Sequence, residues 1–209
     1  MSTKVTVIDY GSGNLHSVIK ALREVGAEVH VTSEVVGVRE AERLILPGVG
    51  AFEDGMRGMR NRGLAEAAHA FFETGRPFLG ICLGMQMLLS VSVEFGLHDG
   101  LGIIPGMVQA VPWQPGHKVP HMGWSEAHPP VEGRWTGTIF EETPPGTRFY
   151  FVHSFSASPA NDDHRLADTH YGGFRISAAV NLGPVYGCQF HPEKSGQEGI
   201  KLLRKFVEI

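Results

Sequence analysis

Along residues 4–91, short apolar runs alternate with stretches whose apolar positions recur every three or four residues. Lys4 to Asp9 (KVTVID) predicts a strand, and Asn14 to Val25 a helix with Leu15, Val18, Ile19, Leu22 and Val25 on one face, closed by Gly26. Glu28 to Thr32 (EVHVT) and Leu44 to Leu46 predict the next two strands, the latter stopped by Pro47-Gly48. Glu53 to Phe72 carries Met56, Met59, Leu64, Ala67, Ala68 and Phe71 at helical spacing, although Gly55, Gly58 and Gly63 weaken its first part. Pro77 to Ile81 predicts a fourth strand, and Leu83 to about Val91 a third helix. Strands alternating with amphipathic helices imply an α/β fold, a parallel sheet with helices on both faces.

The pattern then changes. Residues 101–160 hold most of the prolines and predict short strands in hairpins: Gly106 to Val111, Thr147 to Ser154, and later Arg175 to Asn181. They are expected to form an antiparallel extension of the central sheet within one domain spanning residues 1–209. Val185 to Phe190 predicts a further buried strand, and Glu198 to Ile209 a last helix with Ile200, Leu203, Phe206 and Val207 facing inward. There is no internal repeat, low-complexity tract or charged tail.

Composition narrows the class. At 209 residues the chain is large enough to bury a core without disulfides, and 42% hydrophobic with 19% charged residues is ordinary for a globular protein. A net charge of −4 with scattered basic residues argues against nucleic acid as the main partner. No signal-peptide pattern or membrane-length apolar run is present, so the two cysteines, Cys82 and Cys188, are expected as free thiols in the cytoplasm.

Cys82 carries the strongest chemical signal. In Gly80-Ile81-Cys82-Leu83-Gly84 a strand runs into the cysteine and a helix leaves it, the spacing of a nucleophile elbow with sulfur in place of oxygen. The flanking glycines let the backbones of a sharp strand-to-helix turn approach, and the helix N-terminus favours thiolate. A buried cysteine packed between strand and helix is the plainer reading. The paired glycines and the turn outweigh it. Cys188, inside a predicted strand, is expected to be core.

A thiol nucleophile needs a base, and the base an orienting group. His191-Pro192-Glu193 follows the apolar strand 185–190, so His191 is the expected general base and acid, with Glu193 holding its tautomer. With eleven histidines in the chain, a lone one would count for little; its strand-end place and paired glutamate decide. Pro47-Gly48-Val49-Gly50 also follows a strand and is expected to offer a backbone N–H at Val49 to a developing oxyanion, with the amide of Leu83 as a second donor. Gly11-Ser12-Gly13 lacks the third glycine of a dinucleotide loop, His16 standing in its place. No phosphate loop occurs, and the histidines lack metal-ligand spacing. No metal or cofactor is expected.

Together these segments resemble the class I, or triad, glutamine amidotransferases, and within them the glutaminase-subunit family of imidazole glycerol phosphate synthase. The resemblance covers nearly the whole chain. It rests on Asp9 to Leu15 (DYGSGNL), Leu46 to Phe52 (LPGVGAF), Gly80 to Gln86 (GICLGMQ), Val119 to Trp124 (VPHMGW), Tyr150 to Phe155 (YFVHSF) and Gly187 to Ser195 (GCQFHPEKS). It implies a flavodoxin-like α/β fold and a heterodimer with a (β/α)8-barrel cyclase subunit (HisF). Ammonia cut from glutamine would pass to that subunit, which forms imidazole glycerol phosphate and AICAR from PRFAR in histidine biosynthesis.

By the same resemblance, Cys82, His191 and Glu193 match the triad. Gly50, Gln86 and Glu94 match substrate-binding positions, Glu94 facing the α-ammonium group. Asn14, His121, Trp124, Tyr150 and Lys194 match positions near the subunit interface. The chain departs from the family pattern at Ser125 and at Val91-Ser92-Val93. A stand-alone cysteine hydrolase, or another class I glutaminase such as the pyridoxal phosphate synthase subunit, is the first alternative, and a non-enzymatic binding module on the same fold the second.

Overall fold

The period-two and period-3.6 patterns of the first half become a layered sheet. The computed structural model describes residues 2–11 and 13–209. Strands β1 (Lys4–Ile8), β2 (Glu28–Thr32), β3 (Leu44–Gly48) and β4 (Phe78–Cys82) alternate with helices α1 (Leu15–Glu24), α2 (Val35–Arg39), α3 (Phe52–Asn61), α4 (Leu64–Phe72) and α5 (Leu83–Met87). Successive strand residues point to opposite faces and so feed two separate cores. Val5, Val7, Ile45, Leu79 and Ile81 pack on the side of α1, with its Val18 and Leu22. Ile8, Leu44, Leu46 and Phe78 pack on the other side against Met56 and Met59 of α3 and Phe71 of α4.

The second half supplies β5 (Leu89–Ser92), β6 (His98–Asp99), β7 (Ile104–Ala110), β8 (His121–Ala127), β9 (Thr147–His153), β10 (Phe155–Pro159), β11 (Arg165–Tyr171), β12 (Phe174–Leu182), β13 (Val185–Cys188) and the last helix α6 (Gly196–Glu208). The main sheet has seven strands in the order β11-β12-β13-β4-β3-β1-β2. From β13 to β2 its neighbours run parallel, while β12 and β11 are antiparallel additions at one edge. A mostly parallel sheet with helices on both faces and an antiparallel extension is the architecture expected. Leu203 and Phe206 of α6 join the core on the α1 side.

Three local expectations need correction. The single helix expected over 53–72 is two, broken at Gly63, whose φ of 67° suits a residue without Cβ. The helix expected to run to Val91 stops at Met87, because Leu89–Ser92 is taken up as β5, pairing parallel with β7 and antiparallel with β6. Residues 101–160 do not extend the central sheet. β7 and β10 belong to a separate four-stranded sheet, and β8 and β9 form a two-stranded ribbon of their own. The extension comes from 165–182 alone. Among the described residues, no helix is long and apolar enough to cross a membrane.

Candidate active site

Strand register assembles the site. β3 pairs with β4 so that Gly48 lies opposite Cys82, and β13 pairs with β4 so that Cys188 lies opposite Ile81. Three neighbouring parallel strands therefore end at one edge. They deliver Cys82, the loop of Val49 and Gly50, and the segment Gln189 to Glu193 to the same place. That is where parallel α/β sheets place their ligands, outside the carboxyl ends of the strands.

Cys82 sits on the turn between β4 and α5 with φ 54° and ψ −109°. A residue bearing a Cβ rarely adopts such a conformation, and holding it there costs roughly 1–3 kcal/mol. The surroundings leave the turn no room to relax. A Cβ built on Gly84 would stand 1.7 Å from the Leu46 carbonyl oxygen, and one on Gly80 2.7 Å from the Gly84 backbone. The two glycines are thus demanded by close approach, and the thiol is presented by a turn that packing holds in place.

His191 and Glu193 flank Pro192, the first residue of a short 3-10 turn (Pro192–Lys194). The imidazole Nδ1 lies 2.8 Å from Glu193 Oε1, and both side chains are almost fully buried. Burial by itself would lower the imidazole pKa. Hydrogen bonds and charge from Cys82 and Glu193 outweigh it and raise the pKa to about 9. The ring whose pKa Cys82 raises therefore has Glu193 behind it, in the position of an orienting carboxylate. The backbone is held as well: His191 N–H donates to the Tyr150 carbonyl at 3.0 Å, and Ser195 Oγ donates to the His191 carbonyl at 2.7 Å.

A cleft of about 340 Å³ opens over these groups, lined by Val49, Gly50, Cys82, Leu83, Gln86, Glu94 and His191 among others. That is the size of a small-molecule site. All three residues expected to hold substrate line it. Gln86 is buried, and Glu94 Oε2 accepts the Phe52 N–H at the start of α3 at 2.6 Å. Among the described residues, no group of three or more His, Cys, Asp or Glu side chains could hold a metal ion.

Lys194 reaches the rim of the cleft, while Trp124 is exposed on the β8–β9 ribbon beside half-buried Tyr150, their rings 6.1 Å apart. Asn14 is half-buried at the start of α1 and donates to Ser17 Oγ at 3.0 Å. His121 is placed differently from these four. It is buried, stacked between Phe151 and Tyr171, so its side chain forms no part of an exposed interface. Its place on the inward face of β8 explains the difference.

Sequence reading missed further residues at the site, Pro120 and Val152 of the cleft wall among them. Ser154, Phe155 and His153 line the cleft, and buried Gln189 donates from Nε2 to Cys82 Sγ at 3.8 Å. Gln189 carried one signal, a polar side chain at the end of an otherwise apolar strand. Cys188 is buried and its thiol is pushed up by burial and by the Glu193 charge, in keeping with a core role.

Comparison with known proteins bears on this geometry. The family model described as "Glutamine amidotransferase class-I" matches residues 6–209. A Legionella pneumophila (strain Lens) protein named imidazole glycerol phosphate synthase subunit HisH 1 is 49% identical over 99% of the chain and 100% of its own length. Proteins named imidazole glycerol phosphate synthase subunit HisH are 44% identical in Geobacter sulfurreducens, covering 99% of both chains, and 43% identical in Moorella thermoacetica, covering 98% of this chain and 94% of that one. Among solved structures, one described as a glutamine amidotransferase superposes with a TM-score of 0.74 at 20% identity, covering 98% of this chain and 97% of the other. PurLQS from Thermotoga maritima superposes with a TM-score of 0.73 at 21% identity, covering 100% and 99%. The two structures speak to the fold alone.

Proposed function

The chain belongs to the class-I glutamine amidotransferases, and within that family we propose that it is the glutaminase subunit of an imidazole glycerol phosphate synthase, a single domain over residues 1–209 with Cys82, His191 and Glu193 as its triad. The observation that carries this reading is the strained Cys82 turn beside the buried His191–Glu193 pair, at the edge of three neighbouring parallel strands.

The chemistry is acyl transfer. The Cys82 sulfur attacks the side-chain carboxamide carbon of glutamine, and the carbonyl electrons move onto oxygen. The N–H groups of Val49 and Leu83 meet that charge. The Leu83 amide is the first of α5, where the helix offers it no acceptor. One such donor is worth about 3–4 kcal/mol. Collapse of the tetrahedral intermediate breaks the C–N bond, His191 gives its proton to the leaving nitrogen, and ammonia departs from a γ-glutamyl thioester. His191 then takes a proton from water, which attacks the thioester and releases glutamate and the thiol. Glu94 and Gln86 hold the substrate's polar end, and Gly50 leaves its backbone open to it.

The partner in this reading is the (β/α)8-barrel cyclase, which receives the ammonia before water protonates it. Support comes from the ribbon. The outward face of β8–β9 carries Met122 and Trp124, exposed by 60% and 54%, where a solvated strand pair would carry polar side chains. Val152, the cross-strand neighbour of Met122, lines the catalytic cleft, so the apolar face is continuous with the site's mouth. The reading includes a cytoplasmic setting, in which the free thiols of Cys82 and Cys188 stay reduced. Mixing the purified chain with the cyclase subunit and its nucleotide ligand is expected to raise glutamine hydrolysis sharply. Unchanged turnover on mixing would remove the synthase assignment while leaving the amidotransferase family in place.

A further inference from the structure

From the wall of the cleft runs a chain of largely buried polar groups that the acyl-transfer chemistry does not use. His121 and His153 face each other across the β8–β9 ribbon, and both are buried. His121 Nδ1 is 3.0 Å from His153 Nε2, His153 Nδ1 is 2.9 Å from the Phe155 carbonyl oxygen, and His121 Nε2 is 2.8 Å from Ser125 Oγ.

The carbonyl fixes every proton in this chain. A carbonyl oxygen only accepts, so His153 carries its hydrogen on Nδ1. With the ring neutral, Nε2 is then an acceptor, and His121 must donate to it from Nδ1. His121 Nε2 in turn accepts from the Ser125 hydroxyl. Burial keeps both rings neutral, lowering His153 to about 3 and His121 to about 4.

The same carbonyl accepts Gln86 Nε2 at 2.8 Å. That fixes the orientation of the Gln86 amide, whose nitrogen also reaches Gln189 Oε1 at 3.1 Å. Gln189 is thereby left to donate from Nε2 onto Cys82 Sγ. One directed network runs from Ser125 to the nucleophile, and the Phe155 carbonyl is its turning point. Phe155 and Ser154 also form the cleft wall, at the bend between β9 and β10.

We propose that His153 is a positioning residue of the glutamine site: its Nδ1–H, braced from behind by His121, holds the Phe155 carbonyl that orients the Gln86 and Gln189 amides over the cleft. The proposal rests on the glutaminase reading. His153 acts through Phe155 and Gln86, so its loss weakens glutamine binding more than turnover.

Two substitutions separate the hydrogen bond from the packing. His153→Asn keeps an N–H where Nδ1 stood but loses the ring. His153→Phe keeps the ring but has no donor. Steady-state glutaminase kinetics of the full chain with its cyclase partner are the readout. The expected result is a KM for glutamine raised about tenfold in His153→Phe, the worth of one buried hydrogen bond, and changed less than about threefold in His153→Asn, with kcat altered less than KM in both. Equal losses in the two variants would make the role one of packing, and unchanged KM in His153→Phe would leave the carbonyl without need of the histidine. Either result overturns the proposal. Should His153→Phe fail to fold, His121→Phe, whose ring fills the same aromatic stack, is expected to raise KM in the same direction, and an unchanged KM there overturns it equally. A Cys82→Ala control that abolishes turnover keeps the glutaminase reading standing whatever the His153 variants show.

Discussion

In the proposed reaction the chemistry is concentrated in one strained residue, Cys82. Its φ of 54° is tolerated because β4, α5 and the Leu46 carbonyl leave the turn no alternative. Glycine adopts that backbone without strain, so Cys82→Gly is expected to be more stable than Cys82→Ala by about 1 kcal/mol in urea unfolding, although neither hydrolyses glutamine. Equal stabilities, or a more stable alanine variant, would show that the turn stores no strain. His191 offers a second test. Its pKa in the folded protein, about 9, lies above the ordinary 6.5. The charged ring therefore contributes stability that is complete below about pH 6.5 and is lost as pH rises through about 9. Removing the carboxylate charge in Glu193→Gln is expected to bring the imidazole titration, followed by NMR, down toward 6.5. A titration that stays near 9 would take Glu193 out of the set of groups holding the imidazolium. At this scale the sequence was informative wherever the signal was local: glycines two residues either side of a cysteine, a histidine and glutamate spaced by proline. The contacts of Gln189 and His153 were not legible, because their partners, Cys82 Sγ and the Phe155 carbonyl, are brought to them by strand register and by a bend.

Elements are positioned by close packing around the nucleophile turn. α5 is only five residues long, yet it crosses the ends of β3 and β4 so tightly that Gly84 has no space for a side chain. Gly84→Ala is expected to cost at least about 3 kcal/mol of stability, since its methyl group meets backbone rather than a side chain that could turn away. A variant that unfolds at the wild-type urea concentration would contradict that account. Helical periodicity predicted α1 and α6 to within two residues at each end, since each presents one apolar face to one core. It failed after Met87, where Leu89-Ser90-Val91-Ser92 fits either period and β7 decides the outcome. It also joined α3 to α4, because the apolar face continues past Gly63 while the backbone does not.

The whole molecule is a conventional parallel sheet with an unusual outer surface. The parallel central sheet could be foreseen as a class from alternating strand and helix patterns, though not the order of its strands. The separate ribbon of β8 and β9 could not, because short strands rich in turns do not reveal which neighbour they will pair with. In the proposed assembly that ribbon matters most. Trp124 projects from it with half its surface exposed and the Tyr150 ring beside it. Trp124→Ala is expected to weaken binding of the cyclase subunit at least tenfold by calorimetry, about the effect of removing an aromatic anchor, with little change in the chain's own stability. Unaltered affinity would move the interface off this face. The central claim concerns Cys82, and mass spectrometry of acid-quenched turnover tests it most directly. With glutamine present, a γ-glutamyl adduct is predicted on the peptide that contains Cys82, absent from the Cys188 peptide and absent in Cys82→Ala. Glutamine hydrolysis that continues in Cys82→Ala, or turnover with the label on another residue, would contradict it.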